Sequence, residues 1–314
     1  MSSSAVRRVA ITGASGLIGG ALSAALRDRG DEVVHLVRRD PAHDTPPGVT
    51  EVRWDPGQGL LDPASIEGVD AVVHLAGAGL GDHRWTEDYK RLIRSSRVEG
   101  TATVSSAVAA LDPHPRFLSG SAMGYYGSRG DDVLTEESQN GTGFLAEVCR
   151  DWEAATWQAE QAGASVAHTR MGIVLAPRGG AMARLLPLAR FGLAGPLGSG
   201  RQYWSWITLH DAVRALIFLV DHEEVTGPVN VTAPEPTPQA EVVRALGEHL
   251  RRPTVLRAPT IALRLALGEM AVEILGSQRA LPTVLTEAGF RWDHGDLDDA
   301  IDWLLSEEGT RTTS

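Results

Sequence analysis

The sequence is poor in the groups that would open several functional classes. Of its 314 residues only Cys149 is a cysteine, which excludes an intramolecular disulfide and a thiolate-rich metal site. The 10 histidines show no H-E-x-x-H or similar ligand spacing, so no metal is expected. No G-x-S-x-G element occurs, which weakens a hydrolase reading. There is no run of about 18 apolar residues, so neither a transmembrane helix nor a membrane partner is expected. Basic charge is short too. The formal net charge is -11, the opposite sign to that of a surface built for nucleic acid or anionic lipid. The N-terminal Met-Ser-Ser-Ser-Ala-Val-Arg-Arg lacks the apolar core of a signal peptide, and a cytoplasmic protein is expected.

What is present suits one large or two coupled globular domains, with 43% hydrophobic residues and enough chain to bury a sizeable core. Short apolar runs at residues 6–12, 32–37, 50–54, 70–75, 116–119 and 165–170 read as strands. Helical spacing marks 17–29, 86–111 with a break at Gly100, 144–162, 179–191, 210–220, 239–250 and 261–275. Strands alternating with helices predict an α/β fold, a doubly wound parallel sheet (Rossmann) reaching to about residue 175. A smaller C-terminal substrate lobe is expected from residues 176–205 and the later helices. The domain division is placed at 1–231 and 232–314. Residues 226–238 hold four prolines and stand between the two.

The strongest chemical signal is Gly13-x-x-Gly16-x-x-Gly19, which follows the first strand and opens the first helix. The first glycine permits the tight turn, the second lets a pyrophosphate approach the backbone, and the third lets helix and strand pack closely. The helix N-terminus then offers unpaired N–H groups to phosphate. A dinucleotide is expected across Gly13, Ser15, Gly16, Leu17, Ile18 and Gly19. The second strand ends in Arg38-Arg39, where an NAD site usually has a carboxylate. Guanidinium groups there suit a 2′-phosphate, so NADP(H) is the expected cofactor.

With these residues in hand, the chain resembles the extended short-chain dehydrogenase/reductase superfamily. The matching stretches are the Gly13 motif, His74-Leu75-Ala76-Gly77, Ser119-Gly120-Ser121 with Tyr126-Gly127, and Trp206-Ile207-Thr208-Leu209-His210-Asp211. It is more closely similar to the epimerase-like subfamily with an extra C-terminal helical domain. Arg84-Trp85-Thr86, Ser96-Arg97, Gly195-Pro196-Leu197-Gly198 and Leu267-Gly268-Glu269 carry that likeness. Members are described as NAD-dependent epimerase/dehydratase-like or as cell-division inhibitors. The resemblance adds Leu75, Ala76, Gly77 and Arg97 to the cofactor-binding set, with Ala76 and Gly77 beside the adenine-side ribose or the pyrophosphate.

One departure matters for chemistry. The superfamily's proton-transfer pair is Tyr-x-x-x-Lys, the lysine lowering the tyrosine pKa and holding the nicotinamide ribose. Lys90 is the only lysine, and no such pair exists in the sequence. Aligning on Glu153 puts Leu145 and Cys149 at the two positions. The replacements expected are Ser121, Tyr125 and Tyr126, with Tyr126 chosen as proton donor. A tyrosine without that lysine titrates near ~10 and favours reduction of a carbonyl. The expected activity is that of an NADP(H)-dependent oxidoreductase or epimerase on a small carbonyl- or hydroxyl-bearing substrate. The alternative is a nucleotide-sensing module that turns nothing over and binds a protein partner in cell division; a homodimer stays open under both.

Overall fold

The computed structural model describes residues 6–310, with the backbone alone for 307–310. Residues 1–5, part of the signal-peptide reading, and 311–314 lie outside the described residues. The apolar runs form strands β1 (Arg8–Thr12), β2 (Glu32–Val37), β3 (Val49–Arg53), β4 (Ala71–His74), β5 (Arg116–Ala122), β6 (Val166–Met171) and β7 (Gly227–Val231). All seven lie in one parallel sheet of order β7-β6-β5-β4-β1-β2-β3. The expected doubly wound sheet is present, with β1 inside it and parallel to β4.

The helices are α1 (Leu17–Arg29), α2 (Glu87–Ala109), α3 (Phe144–Ala154), α4 (Trp157–Ala162), α5 (Met182–Arg190), α6 (Leu209–Asp221), α7 (Gln239–Leu250) and α8 (Thr260–Leu267), followed by shorter turns and a terminal helix, Leu297–Thr310. Alternate strand residues feed two cores, as a sheet covered on both faces requires. Val9, Ile11 and Val73 pack with α1 and α6 residues such as Leu22, Leu26 and Leu216. Ala10, Val34 and Val72 pack with Val104 and Val108 of α2 and Ala159 of α4. A separate core joins Met182 and Leu186 of α5 to Trp204, Trp206, Leu246 of α7 and Ile301 of the terminal helix. Among the described residues, no helix is long and apolar enough to cross a membrane.

Four details differ from the sequence reading. α2 runs unbroken through Gly100, which is there for packing: a Cβ would come within 3.2 Å of the His74 ring. Residues 144–162 are two helices, because Thr156 turns its hydroxyl back onto the Glu153 carbonyl at 2.7 Å. Residues 261–275 break at Gly268, whose φ of 62° interrupts the helix. The proline-rich 226–238 contains β7, an edge strand, which is where a sheet tolerates a residue such as Pro228.

Candidate dinucleotide-binding and active site

From β1 the chain winds outward through β2 and β3, and from β4 it winds the other way. The strand order therefore reverses between β1 and β4, and the carboxyl ends of these strands flank a crevice. Thr12, fully buried, ends β1. Its Oγ1 accepts from the N–H groups of Leu75 (3.0 Å) and Ala76 (3.1 Å) and lies 2.7 Å from His74 Nδ1. With both lone pairs engaged, the hydroxyl proton points to Nδ1, so His74 carries its own proton on Nε2. The two strand ends are locked together, and the turn after β4 is drawn against Gly13. There a Cβ would sit 2.9 Å from the Ala76 nitrogen, and φ is +70°. A Cβ on Gly19 would collide with the Gly13 carbonyl. α1 is capped by Gly16 with no side-chain cap bond and has no acidic residue in its first turn. Its N–H groups are left open to an anion.

A cleft of about 460 Å³ runs from this turn to β5 and α3. Gly13, Gly16, Leu17, Ile18, Gly19, Leu75, Arg97 and Ser121 all line it. Ser15 is exposed on the turn outside the lining. Ala76 and Gly77 shape the rim, Ala76 through Thr12 and Gly77 as the surface under the Arg97 guanidinium. Beyond β2 the two arginines part company. Arg38 is exposed and has no hydrogen-bond or ion-pair partner among the described residues. Arg39 instead grips Glu51 with both nitrogens at 2.6 and 2.8 Å, and this pairing holds the Glu51 carboxyl below its ordinary range.

On the far wall, Leu145 and Cys149 both line the cleft, one helical turn apart, at the positions that the resemblance gives to tyrosine and lysine. The thiol is no substitute for an ammonium. Burial, reinforced by Glu153, pushes Cys149 up to about 12, so it stays neutral.

The structure corrects the choice of Tyr126 as donor. Its ring is fully buried and absent from the cleft lining; its hydroxyl donates to Asn230 Oδ1 at 2.7 Å and accepts from Arg170 Nη1 at 2.8 Å. Burial pushes its pKa up to about 12, against the pull of Arg170. Tyr125 is also outside the lining, with its ring 3.5 Å from the Arg170 guanidinium carbon. Ser121 does face the cleft, and it donates to Glu153 Oε1 at 2.6 Å. Glu153 in turn takes Arg170 bidentately at 2.8 and 2.9 Å. Burial opposes the Arg170 charge, yet Glu153 holds its pKa above the ordinary value.

Sequence reasoning used Glu153 only as an alignment anchor. An arginine inside the apolar strand 166–171 was the available signal that a buried carboxylate lay nearby. It also missed Trp152, whose Nε1 is buried beside the cleft, with no hydrogen-bond partner among the described residues. Among the described residues, one His/Asp grouping occurs elsewhere, at His210, Asp211 and Asp293. Asp211 already accepts from the N–H groups of Asp293 and His294 and from Arg214.

Sheet order, glycine turn and crevice define a dinucleotide-binding Rossmann protein. Residues 9–232 match the NAD dependent epimerase/dehydratase family, and residues 258–304 match a domain of unknown function (DUF1731). The chain belongs to that epimerase/dehydratase family. It is 45% identical over 299 residues to the epimerase family protein ML0860 of Mycobacterium leprae, covering 95% of each chain. A crystal structure of human epimerase family protein SDR39U1 (isoform 2) with NADPH is similar, with a TM-score of 0.85, 28% identity and coverage of 95% of this chain and 99% of that one. The nucleoside-diphosphate sugar epimerase of Corynebacterium glutamicum is 36% identical with a TM-score of 0.77, over 98% of this chain and 59% of that one.

Proposed function

We propose that the chain is an NADP(H)-dependent oxidoreductase of the epimerase family, acting on a small carbonyl- or hydroxyl-bearing substrate. The observation that carries this reading is one continuous cleft joining the open N-terminus of α1 to Ser121. The residues fit the cofactor. Gly16 puts bare backbone on the cleft wall, the first turn of α1 meets the pyrophosphate, and unpaired Arg38 takes the 2′-phosphate. NADPH bound to human SDR39U1 supports the choice. When bound, the dinucleotide supplies hydride chemistry.

Ser121 and Glu153 do the work expected of a tyrosine. Because the Ser121 proton is committed to Glu153, the lone pairs of Oγ are left for the cleft, where they accept from a substrate hydroxyl. On oxidation the substrate proton passes to Ser121 Oγ and the serine proton passes to Glu153; reduction runs the same transfers backwards. Arg170 holds the Glu153 carboxylate in place through the bidentate pair, so the Ser121 hydroxyl stays oriented towards the cleft in either direction of reaction.

Turnover of NADP+ and NADPH over a panel of small alcohols and ketones tests this. Ser121→Ala is expected to lose about a hundredfold in kcat, the lower end for removing acid–base help, while Tyr126→Phe stays within about twofold. Equal turnover in wild type and Ser121→Ala, or a large loss at Tyr126→Phe alone, contradicts the assignment.

A further inference from the structure

Among the described residues, Arg97 is the only charged one that lines the cleft. Its Nη1 is tied down, donating to the carbonyls of Ala78 and Ile93, each at 3.0 Å. Nε and Nη2 have no acceptor among the described residues, and no carboxylate pairs with the guanidinium there. Its carbon would lie 3.2 Å from a Cβ on Gly77 and lies 5.1 Å from the centroid of the Trp152 ring. Trp152 is only 7% exposed, and the Cζ2 edge of its ring is pressed onto Gly120 of β5. Its Nε1 is buried, with no hydrogen-bond partner among the described residues. A half-buried guanidinium with no counter-charge and a buried indole N–H with no acceptor both cost free energy when left alone. Both groups only donate. Whatever completes them must bring acceptor oxygens.

The place in the fold says which oxygens. Arg38 follows β2, the α1 N-terminus follows β1, the Arg97 side chain of α2 packs on Gly77 in the turn after β4, and the Trp152 ring of α3 packs on Gly120 of β5. A dinucleotide with its 2′-phosphate at Arg38 and its pyrophosphate at α1 directs its nicotinamide half to β4 and β5. We propose that Arg97 and Trp152 are paired donors for the nicotinamide-side ribose and its phosphate, holding from α2 and α3 what a lysine at position 149 would have held. The proposal rests on the NADP(H) reading above. It explains why a neutral Cys149 is tolerated: the positive charge enters the same cleft from the neighbouring helix. Gly77 is required in the same arrangement, since the guanidinium lies on its Cα face.

The test uses two ligands that share the 2′-phosphate end. Calorimetric titrations of wild type, Arg97→Gln and Trp152→Phe are made with NADPH and with adenosine 2′,5′-bisphosphate, which lacks the nicotinamide half; thermal unfolding reports on each variant's fold. Arg97→Gln is expected to weaken NADPH at least tenfold and to leave the bisphosphate within twofold, the loss typical of charged hydrogen bonds. Trp152→Phe keeps the ring and removes one donor, so NADPH weakens about threefold and the bisphosphate is unchanged. The inference is overturned if both variants leave NADPH within twofold, or if the two ligands weaken equally. Wild type that binds neither ligand overturns the NADP(H) reading and this inference with it. Wild type that binds both, with silent variants, overturns the inference alone.

Discussion

Glu153→Gln is expected to lower the unfolding free energy by about 3–5 kcal/mol, the usual cost of stripping one partner from a buried ion pair. The Arg170 side chain is 3% exposed and the Glu153 side chain 11%, so water cannot replace the lost carboxylate. The guanidinium would remain in place, held by the Tyr126 hydroxyl and the Glu136 carbonyl and lying against Tyr125. Arg170→Met removes the charge along with the pairing, and the double variant is expected to be less destabilised than the sum of the singles by at least about 1.5 kcal/mol. Urea unfolding of the four proteins at constant m-value measures this. A loss below about 1 kcal/mol in Glu153→Gln would mean that the pair is solvated and the Ser121–Glu153–Arg170 chain is not a rigid unit.

Acid is expected to destabilise the protein through His74. Burial, with a smaller contribution from Arg97, lowers this imidazole from the ordinary 6.5 to about 3. The folded state keeps it neutral, while the unfolded chain takes up a proton below about 6.5. The stabilisation is therefore complete above pH 6.5 and is lost as pH falls towards 3, amounting to about 4 kcal/mol across that window. At pH 4.5 about 2–3 kcal/mol should already be gone. The structural reason is plain: Nδ1 is taken by Thr12, and Nε2 faces Gly100 without an acceptor. An NMR titration of the ring should find His74 neutral down to about pH 4. A ring that titrates near 6.5 in the folded protein refutes the prediction.

Much of the fold was legible because period and spacing are local properties. Six of the seven strands and the whole glycine turn follow from runs of four to seven residues whose pattern needs no partner to be read. β7 was hidden because an edge strand with Pro228 lacks the apolar run of its neighbours. Gly100 was misread because its meaning lies in the His74 ring across the core. The site divided in the same way. Gly13 and Gly19 announce themselves in sequence, whereas the fate of Arg39 depends on Glu51 of the neighbouring strand. Tyr126 looked free because its partners, Asn230 and Arg170, come from β7 and β6. Counting from Glu153 put Leu145 and Cys149 one helical turn apart, and both line the cleft. That Ser121, Arg97 and Trp152 share the cleft with them could not be counted, since these residues meet only in three dimensions.

The measurement closest to the central claim is a pair of calorimetric titrations of the intact chain, one with NADPH and one with NADH. NADPH is expected to bind at least about tenfold more tightly, because exposed Arg38 gives the 2′-phosphate a charged hydrogen bond that NADH does not make. Arg38→Ala should remove most of that difference, and Arg39→Ala, which frees only Glu51, should leave it. Equal affinities for the two dinucleotides in the wild-type chain, or failure to bind either, would contradict an NADP(H) enzyme built on this cleft.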